Sequence, residues 1–553
     1  MFFKILSASS YRLVVCAPRC LRAATYRTSS VCLSLAGMDH LPTVTIRKSL
    51  NIDSPEHDAV VLVAQDPLSL AHDLRALQPC LRAYNEVFIC CIVMQYRRRD
   101  CCFQASKEGV THAVKVGSTK PLLALAFPKT VTKLDSKWAK PESLCLATIL
   151  AALEALYVPL EVREFSDRPR PESLKPVKST KVEYLGWFAQ SDHGVDHDQL
   201  IHIAWCIEEG RRVARDIGGS DPERMCPSKI LSFLKVELSG GGVLLDAQPV
   251  DEKRYPLAAV VDRGSSNKNR GSIVHLEYSG SRDGKISDSE LQNLFLIGKG
   301  IVYDSGGYDL KVGGNMATMH RDKCGAAAVA GFFKILNLLK PANINVRGSL
   351  AFVRNSIGEN AYVSDEIITS RAGVRVRVTN TDAEGRMVMT DLLCEAKEKA
   401  LEVSNPHLMT FATLTGHVIL SYGPHYTALV SNGPAQQSGV NEELRDAGSL
   451  LGDMHEISTL RREDFEAHAS QDEYSDLVNS ARPVNGRRCR GHQSPAAFMI
   501  TASGLDAHMC NGKRPLPYTH FDIAGSQGPS PGFPTGVPIL TLCSRYLLRQ
   551  FWR

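Results

Sequence analysis

Residues 380–386, with the sequence NTDAEGR, carry the side chains best suited to chemistry. Asp382, Glu384 and Arg386 occupy alternate positions there, and alternate side chains of an extended segment point the same way. Two carboxylates aimed together repel each other unless a cation lies between them. The spacing is compatible with a metal site, but an Asp-x-Glu pair alone is more often a solvated acidic turn.

The acidic segment is expected where a strand ends and a helix begins. Before it, Val374, Val376 and Val378 alternate with polar residues, and this period of two predicts a half-buried strand. Residues 387–397 suit a helix. Ligands of open α/β sheets bind at the carboxyl ends of the strands. We therefore expect the carboxylates at such an edge.

A second stretch, residues 294–331, supplies further charged groups. Its apolar start predicts a buried strand with Lys299 at its end, and Asp304 and Lys311 follow among glycines. Asp322 lies where a helix of small residues begins, a place where the helix dipole alone would favour a carboxylate. Capping is therefore the alternative role of Asp322.

Together the two stretches provide enough ligands for two metal ions. Four carboxylates at strand ends can hold two divalent ions ~3.5–4 Å apart, as in two-metal hydrolases. Oxygen-rich ligation fits Zn, Mn, Mg or Co, and the sequence does not choose among them. The carboxylates are Asp304, Asp322, Asp382 and Glu384, and the cations near them are Lys299, Lys311 and Arg386.

Composition narrows the class of protein. The chain has 553 residues, which suggests about two to four domains. Its net charge of +5 is small for this length, so we expect neither a nucleic-acid nor a membrane partner. It has no run of about 18 uncharged apolar residues, so no transmembrane helix is expected. The 16 scattered cysteines lack zinc-site spacing and are expected to be reduced thiols of an intracellular protein.

The chain divides into segments of different composition. Residues 1–38 hold five basic and no acidic residues and are rich in Ser and Thr, which is typical of a mitochondrial transit peptide. The alternative is an upstream extension, with translation starting at Met38. The protein is expected in the cytoplasm, or in mitochondria if residues 1–38 are a transit peptide. We predict an N-terminal α/β domain at 43–163, a linker at 164–198 and a second domain at 199–553.

Apolar runs and turn residues predict further elements. Strands are expected at residues 58–64, 86–93, 258–261 and 273–276, and helices at 144–157, 201–217 and 229–238, the last capped by Ser228.

Four segments resemble the M17 leucyl aminopeptidases, a family of two-metal exopeptidases. NTDAEGR looks like the family signature, and residues 298–328 are similar to the other half of its site. Residues 412–416 (ATLTG) and 520–525 (HFDIAG) resemble later family segments. The resemblance covers residues 199 to 553 and is closest to the animal "probable aminopeptidase-like" branch. It implies an α/β fold, in which a small N-terminal α/β domain is followed by a larger α/β metallopeptidase domain with a mixed central sheet.

The resemblance also implies two metal sites that share ligands. The ions, Zn or Mn with Mg and Co still open, would activate water and bind the α-amine of the substrate. A lysine ligand must be a neutral amine, and an adjacent dication favours that form. One ion would be held by Lys299, Asp304, Asp322 and Glu384, and the other by Asp304, Asp382 and Glu384, with the Asp382 carbonyl helping.

Other residues would act on the substrate, a peptide with a free N-terminus. By the resemblance, Lys311 would stay cationic and stabilise the developing gem-diolate oxygen, and Arg386 would hold a bicarbonate ion that acts as general base. Met319, Thr413 and Gly416 would line the pocket for the N-terminal side chain. The expected assembly is a homo-oligomer, a hexamer by the resemblance.

Some positions depart from the family pattern. Lys323 follows Asp322, where its charge either weakens metal binding or points away into solvent. His417 replaces a small residue and is expected as a satisfied loop histidine, and residues 487–492 replace a glycine-rich stretch. These changes bear on substrate preference more than on metal binding.

The predicted function is that of a metal-dependent aminopeptidase. Two alternatives stay open: a catalytically weak pseudoenzyme that serves as a structural subunit, and a nucleic-acid-binding regulator. The small net charge argues against the regulator.

Overall fold

Two compact units make up the chain in this computed structural model. The first comprises Met1–Glu208 with Ser449–Gly452, and the second comprises Glu209–Gly448 with Asp453–Phe551. The exact domain and linker boundaries stay predictions. The structure describes residues 4–8, 11–15, 44–50, 56–64, 100–126, 141–166, 171, 174, 177–189, 194–280, 287, 290–482 and 489–551.

The first unit contains a four-stranded parallel sheet with the strand order β3-β6-β5-β4. The predicted strand at 58–64 and helix at 144–157 are both present, whereas residues 86–93 lie outside the described residues. The strands are β1 (Lys4–Ala8), β2 (Tyr11–Val15), β3 (Ile46–Ser49), β4 (Ala59–Ala64), β5 (Pro121–Ala126) and β6 (Leu185–Phe188), with β1 and β2 forming a separate antiparallel pair. The helices are α1 (Asp100–Lys115), α2 (Pro141–Leu156) and α3 (Leu160–Phe165).

The second unit is built on an eight-stranded mixed sheet, which confirms the predicted α/β class. The strand order is β15-β14-β17-β13-β9-β10-β8-β7, with parallel pairing at its centre and antiparallel pairs on both sides. The strands of this sheet are β7 (Val243–Pro249), β8 (Ser272–Ser279), β9 (Gln292–Asp304), β10 (Ile344–Asn355), β13 (Pro406–Ala412), β14 (Thr427–Ser431), β15 (His455–Thr459) and β17 (Tyr518–Asp522).

Strand β9 is buried along almost its whole length because the sheet is covered on both faces. Lys299 therefore lies in the middle of a strand, and the prediction that it ends the strand is wrong. Asp304 is the last residue of β9. On one side of the sheet a helix of small residues lies very close to β13: a Cβ atom at Gly325 would lie 2.0 Å from the Phe411 carbonyl oxygen.

A separate three-stranded sheet contains the strand before the acidic segment. It consists of β11 (Ile367–Thr369), β12 (Arg375–Arg377) and β16 (Leu477–Val478). The alternating valines thus form a strand, but outside the central sheet. The predicted order of strand, acidic segment and helix is therefore present, but the strand belongs to this smaller sheet.

Helices cover the central sheet and connect its strands. They are α4 (His197–Gly219), α5 (Pro227–Glu237), α6 (Pro256–Asp262), α7 (Cys324–Leu339), α8 (Glu384–Ala400), α9 (Gly416–Tyr422), α10 (Gly433–Gln437), α11 (Val440–Leu451), α12 (Arg462–Glu466), α13 (Ser494–Ala502) and α14 (Ile539–Leu542). In the described part of the chain, none of the helices has the length and apolarity needed to cross a membrane.

Two local predictions are wrong. Residues 258–261 form part of helix α6 and not a strand, because Pro256 starts a helix there and a short apolar run fits either structure. Ser228 does not cap α5: the helix begins at Pro227, and the side chain of Cys226 at the cap position makes no capping hydrogen bond.

Candidate metal centre and active site

All the site residues predicted from the sequence lie on the wall of one cavity. Its volume is about 460 Å³, within the usual size of small-molecule sites. It lies in the second unit, beyond the ends of β9 and β13. The predicted residues that line it are Lys299, Asp304, Lys311, Met319, Asp322, Asp382, Glu384, Arg386, Thr413 and Gly416.

A bulge in β9 turns Asp304 toward the same side as Lys299. In a regular strand, residues five positions apart face opposite sides of the sheet. Ile301 pairs with Val353, but Asp304 pairs with Asn355, so β9 has one more residue than β10 over this interval. The extra residue reverses the alternation and lets both side chains enter the cavity.

A glycine turn then brings Lys311 back to the end of the strand. Gly306 and Gly307 have φ values of 85° and 64°, a left-handed conformation that favours glycine. The Lys311 amide donates to the Ser305 carbonyl at 3.0 Å. Lys311 Nζ lies 2.9 Å from Asp304 Oδ2 and also contacts Asp382 Oδ1.

The NTDAEGR segment is not extended, so the condition under which its alternate side chains would point the same way is not met. Helix α8 begins at Glu384, and Asp382 lies in the turn before it. Lys299 Nζ reaches Glu384 Oε1 at 2.9 Å. A Cβ atom at Gly385 would lie 2.6 Å from that same Nζ. Glycine is therefore needed here, because the lysine side chain passes directly against the helix start.

Asp322 completes a cluster of three buried carboxylates. Its Oδ1 accepts a hydrogen bond from Thr413 Oγ1 at 2.8 Å, and its Oδ2 lies 2.8 Å from Lys299 Nζ. One carboxylate oxygen from each of Asp304, Asp322 and Glu384 lies within 4.8 Å of the other two. The arrangement can place three anionic oxygens around one cation.

The electrostatics of the site favour a bound cation. Burial, followed by the nearby Asp304 carboxylate, raises the pKa of both Asp382 and Glu384. Burial would lower the pKa of Lys299, but the carboxylates of Asp322 and Glu384 raise it above its ordinary value. Glu384 Oε2 is buried and has no hydrogen-bond partner among the described residues. These residues fit a divalent ion, because a dication would compensate the crowded negative charge.

Two asparagines that the sequence did not reveal hold the site loops. Asn355 Nδ2 donates to Asp304 Oδ1 at 2.9 Å and to the Thr381 carbonyl at 3.1 Å. Asn479 binds both the amide and the carbonyl of Asn380. Asn355, which ends the apolar strand β10, could have been noticed as a polar residue at a sheet edge. Asn479 comes from an irregular segment and gave no such signal.

Asp522 of the HFDIAG segment fixes the ATLTG segment. Its Oδ1 accepts from the Leu414 amide at 3.2 Å, and its Oδ2 accepts from Thr415 Oγ1 at 2.7 Å. The two segments that resemble the family therefore form one unit. Asp522 orients the loop that carries Thr413 and Gly416.

The solvent-exposed alternative for Lys323 is wrong. The side chain is fully buried, and its Nζ donates to the Ser220 carbonyl at 3.0 Å and to the His320 carbonyl. The helix start faces the interior, where backbone oxygens bind the ammonium group. His417 lies in helix α9 and not in a loop, and it packs against Gly491. Residues 483–488, which include part of the altered 487–492 stretch, lie outside the described residues.

Known proteins are similar to this chain in sequence and in fold. The family model described as the cytosol aminopeptidase family, catalytic domain, matches residues 212–543. A Caenorhabditis elegans protein named "Putative aminopeptidase W07G4.4" is 39% identical over 451 residues, which cover 80% of each chain.

Solved structures share the fold at lower identity. Leucyl aminopeptidase from Trypanosoma brucei in complex with bestatin has a TM-score of 0.71 at 19% identity, and the match covers 92% of this chain and 96% of that one. The bottromycin maturation enzyme BotP in complex with Mn has a TM-score of 0.68 at 20% identity, covering 89% and 99%. The chain therefore belongs to the cytosol aminopeptidase family, the M17 leucyl aminopeptidases, and is a metal-dependent aminopeptidase.

Proposed function

We propose that the chain removes the N-terminal amino acid from peptides with two divalent metal ions, Zn or Mn before Mg or Co. The observation that carries this proposal is the convergence of four carboxylates on one cavity, where Glu384 Oε2 is buried and has no hydrogen-bond partner among the residues that the structure describes. Peptides fit a cavity of about 460 Å³ through their first residues. When bound, such ions polarise a carbonyl oxygen and lower the pKa of water.

The ligands divide into two overlapping sets. Lys299 Nζ already lies between Asp322 and Glu384, and Lys311 Nζ lies between Asp304 and Asp382. Each pair of carboxylates already shares one ammonium group, and this supports the assignment of shared metal ligands. We assign one ion to Lys299, Asp304, Asp322 and Glu384, and the other to Asp304, Asp382 and Glu384.

Lys311 would contact the substrate, and Arg386 would hold the general base. Lys311 keeps its proton, because the Asp304 carboxylate offsets burial and raises its pKa. Its Nζ would donate a hydrogen bond to the oxygen that becomes negative as the scissile carbonyl is attacked. Arg386 is oriented by the Asn479 carbonyl, which accepts from its Nη1 at 3.0 Å. Its guanidinium would hold a bicarbonate ion as general base.

The pocket for the N-terminal side chain is assigned to Met319, Thr413 and Gly416. All three line the same cavity as the carboxylates. Thr413 also binds Asp322 through its hydroxyl, so the pocket is directly linked to the metal centre. We do not propose a pseudoenzyme, because Lys311 binds no metal in this scheme and an inactive chain would have no need of it.

Hydrolysis of aminoacyl amides by the chelated and the reconstituted protein tests this function. Chelation should abolish hydrolysis, and Zn or Mn should restore it. A blocked α-amine on the same substrates should prevent cleavage. Hydrolysis that survives complete metal removal would contradict the proposal, as would failure of every metal-loaded sample on a panel of neutral aminoacyl amides.

We further propose the cytoplasm as the compartment and a homo-oligomer, a hexamer by family resemblance, as the assembly. N-terminal sequencing of the native protein, combined with cell fractionation, tests the compartment. A start at Met38 favours the cytoplasm, and a cut elsewhere within residues 1–38 favours mitochondria. Light scattering tests the assembly, and a monomeric mass would contradict it.

A further inference from the structure

Arg482 is a cation on the cavity wall without a counter-charge in the described part of the chain. The side chain is half-buried, and its one hydrogen bond to the described residues runs from Nη2 to the Glu466 carbonyl at 3.1 Å. No carboxylate of these residues forms an ion pair with it. Because a guanidinium carries five N–H donors, most of those of Arg482 remain available to a ligand.

The other arginines of the cavity wall are already engaged. Arg490 pairs with Asp464 through two N–H···O bonds of 2.6 and 2.8 Å. Arg321 is buried and donates to three backbone carbonyls, and Arg386 is assigned to the base. Among the described arginines that line the cavity, Arg482 is therefore the one whose charge is open to a bound substrate.

A serine hydroxyl lies close to this cation. Ser480 also lines the cavity, and its Oγ keeps accessible surface while making no hydrogen bond to the described residues. Ser480 and Arg482 are two positions apart in the sequence, so their Cα atoms lie within about 7 Å of each other. The two side chains can therefore donate to the same ligand.

The contacts of the preceding residue place this pair beside the reaction centre. Ser480 directly follows Asn479, whose carbonyl accepts from Arg386 Nη1 at 3.0 Å. In the proposed reaction, the leaving amine begins the second residue of the substrate and receives its proton at the base beside Arg386. The pocket for the first side chain lies at Thr413, which binds Asp322. The second residue of the substrate therefore lies on the side of the cavity where Ser480 begins.

A carboxylate suits these two donors best. Arginine binds carboxylates through two parallel N–H···O bonds, and a serine hydroxyl can donate to one of the same oxygens. A neutral amide group would leave the charge of Arg482 unmatched. The carboxylates of Asp464 and Glu463 on the same wall raise the pKa of Arg490, and neither forms an ion pair with Arg482 in the described structure.

We propose that Arg482, together with Ser480, forms a subsite that binds a carboxylate of the substrate beyond the scissile bond. This inference rests on the proposed aminopeptidase function and names the substrate class of that site. Two sources supply such a carboxylate: the C-terminus of a dipeptide, and the side chain of aspartate or glutamate as the second residue of a longer peptide. Both lie within one residue of the scissile bond.

Two pairs of substrates of nearly equal shape test the subsite. Leucyl-glycine against leucyl-glycinamide tests the C-terminal carboxylate, and leucyl-aspartyl amide against leucyl-asparaginyl amide tests the side chain. In at least one pair, the metal-loaded wild type should show a KM about tenfold lower for the acid, as charge-assisted hydrogen bonds imply. The values of kcat should be similar, because the contact is equal in the ground state and the transition state. High salt should weaken the preference.

Substitutions then assign the preference to these residues. Arg482→Met should bring the KM ratio of the preferred pair close to one, and Arg482→Lys should keep part of the ratio because it keeps the charge. Ser480→Ala should lower the ratio by a smaller factor. Arg514→Met is the matched control: Arg514 donates to the Leu401 and Val403 carbonyls and does not line the described cavity, so the ratio should stay at the wild-type value.

The outcomes separate this inference from the proposed function. Equal KM values for acid and amide in both pairs overturn the subsite and leave the aminopeptidase intact. A preference that survives Arg482→Met in folded, metal-loaded protein also overturns it, and an unchanged ratio in Ser480→Ala removes Ser480 from the subsite. If Arg482→Met fails to fold, Arg482→Gln takes its place, because it keeps a donor for the Glu466 carbonyl without the charge. Hydrolysis of none of the four substrates overturns the proposed function itself.

Discussion

Two clusters of buried charge in the second unit differ in how their charges are paired. In the first, here called the salt-bridge cluster, Arg212 contacts Glu209, Asp216 and Glu237 at 2.7–2.9 Å, and Lys334 contacts Glu237 at 3.1 Å. Burial would raise the pKa of Glu237, but Arg212 and Lys334 lower it to about 2. The charged form is thus the stable form inside this cluster.

The metal centre shows the opposite shift. Burial and neighbouring carboxylates raise the pKa values of Asp382 and Glu384, even though Lys299 and Lys311 lie among them. Four carboxylates face two ammonium groups there, and one Glu384 oxygen has no partner in the described structure. The same residue types therefore have different roles in the two clusters. The paired charges of the salt-bridge cluster stabilise the fold, whereas the surplus negative charge of the metal centre indicates a site that needs an added cation.

Glu384→Gln should have the largest effect on function. The substitution keeps the shape of the side chain but removes a ligand charge, so metal content should fall. Hydrolysis should drop by at least about 10³-fold, because several kcal/mol of metal stabilisation are lost. Mass spectrometry of bound metal and kcat/KM measure the two effects. Unchanged metal stoichiometry in both this variant and Asp382→Asn would remove these residues from the metal site.

Lys311→Ala should have the next largest effect. Metal content should stay intact, and kcat should fall about 10²–10³-fold, the usual cost of one preorganised oxyanion donor. The loss should fall on kcat and not on KM, because the oxyanion exists only in the transition state. Steady-state kinetics of metal-loaded samples tests this. Equal rates for the variant and the wild type, at equal metal content, would contradict the catalytic role of Lys311.

Glu237→Gln should have the opposite consequence: it should lower stability and leave metal binding and catalysis unchanged. Removing the Glu237 charge leaves the buried Lys334 ammonium without its carboxylate partner, and Arg212 keeps only Glu209 and Asp216. The free energy of unfolding should therefore fall by about 3–5 kcal/mol. Metal content and kcat of the folded protein should be unchanged. Denaturant unfolding and metal analysis of the same sample check both points. A loss of metal without a loss of stability would contradict the distinction between the two clusters.

The pH dependence of stability gives the smallest effect. Glu237 has a folded-state pKa of about 2, below its ordinary value of 4.5. Its contribution is therefore fully present above about pH 4.5 and is lost as pH falls toward 2. Thermal melts of wild type and Glu237→Gln should differ most at neutral pH and converge in acid. A difference that grows on acidification would show the wrong sign.

The sequence predicted the site better than the path of the chain through it. NTDAEGR and residues 298–328 supplied the predicted charged residues on the cavity wall, whereas Thr413 and Gly416 were predicted only from the family resemblance. Yet Asp382 and Glu384 meet across a helix start and not along a strand. Periodicity cannot show this, because the valines before them fit a strand in any sheet.

Contacts between residues far apart in the sequence account for the features that the sequence did not predict. The bulge that turns Asp304 inward depends on pairing between β9 and β10, which single-strand patterns do not contain. Asn479 reaches Asn380 from 99 residues away, and nothing local marks it. Lys323 is buried because the carbonyls of Ser220 and His320 receive its ammonium group. Its position at a helix start had left solvent exposure open as one of two alternatives.

Metal titration of the chelated protein tests the central claim most directly. Bound Mn or Zn per chain and the hydrolysis of aminoacyl amides would be measured in the same samples, with Glu384→Gln beside the wild type and Glu237→Gln as the matched control. We predict that activity appears as bound metal approaches two ions per chain, and that only Glu384→Gln fails to reach that stoichiometry. Full hydrolysis without bound metal, or two bound ions without any hydrolysis, would contradict the account.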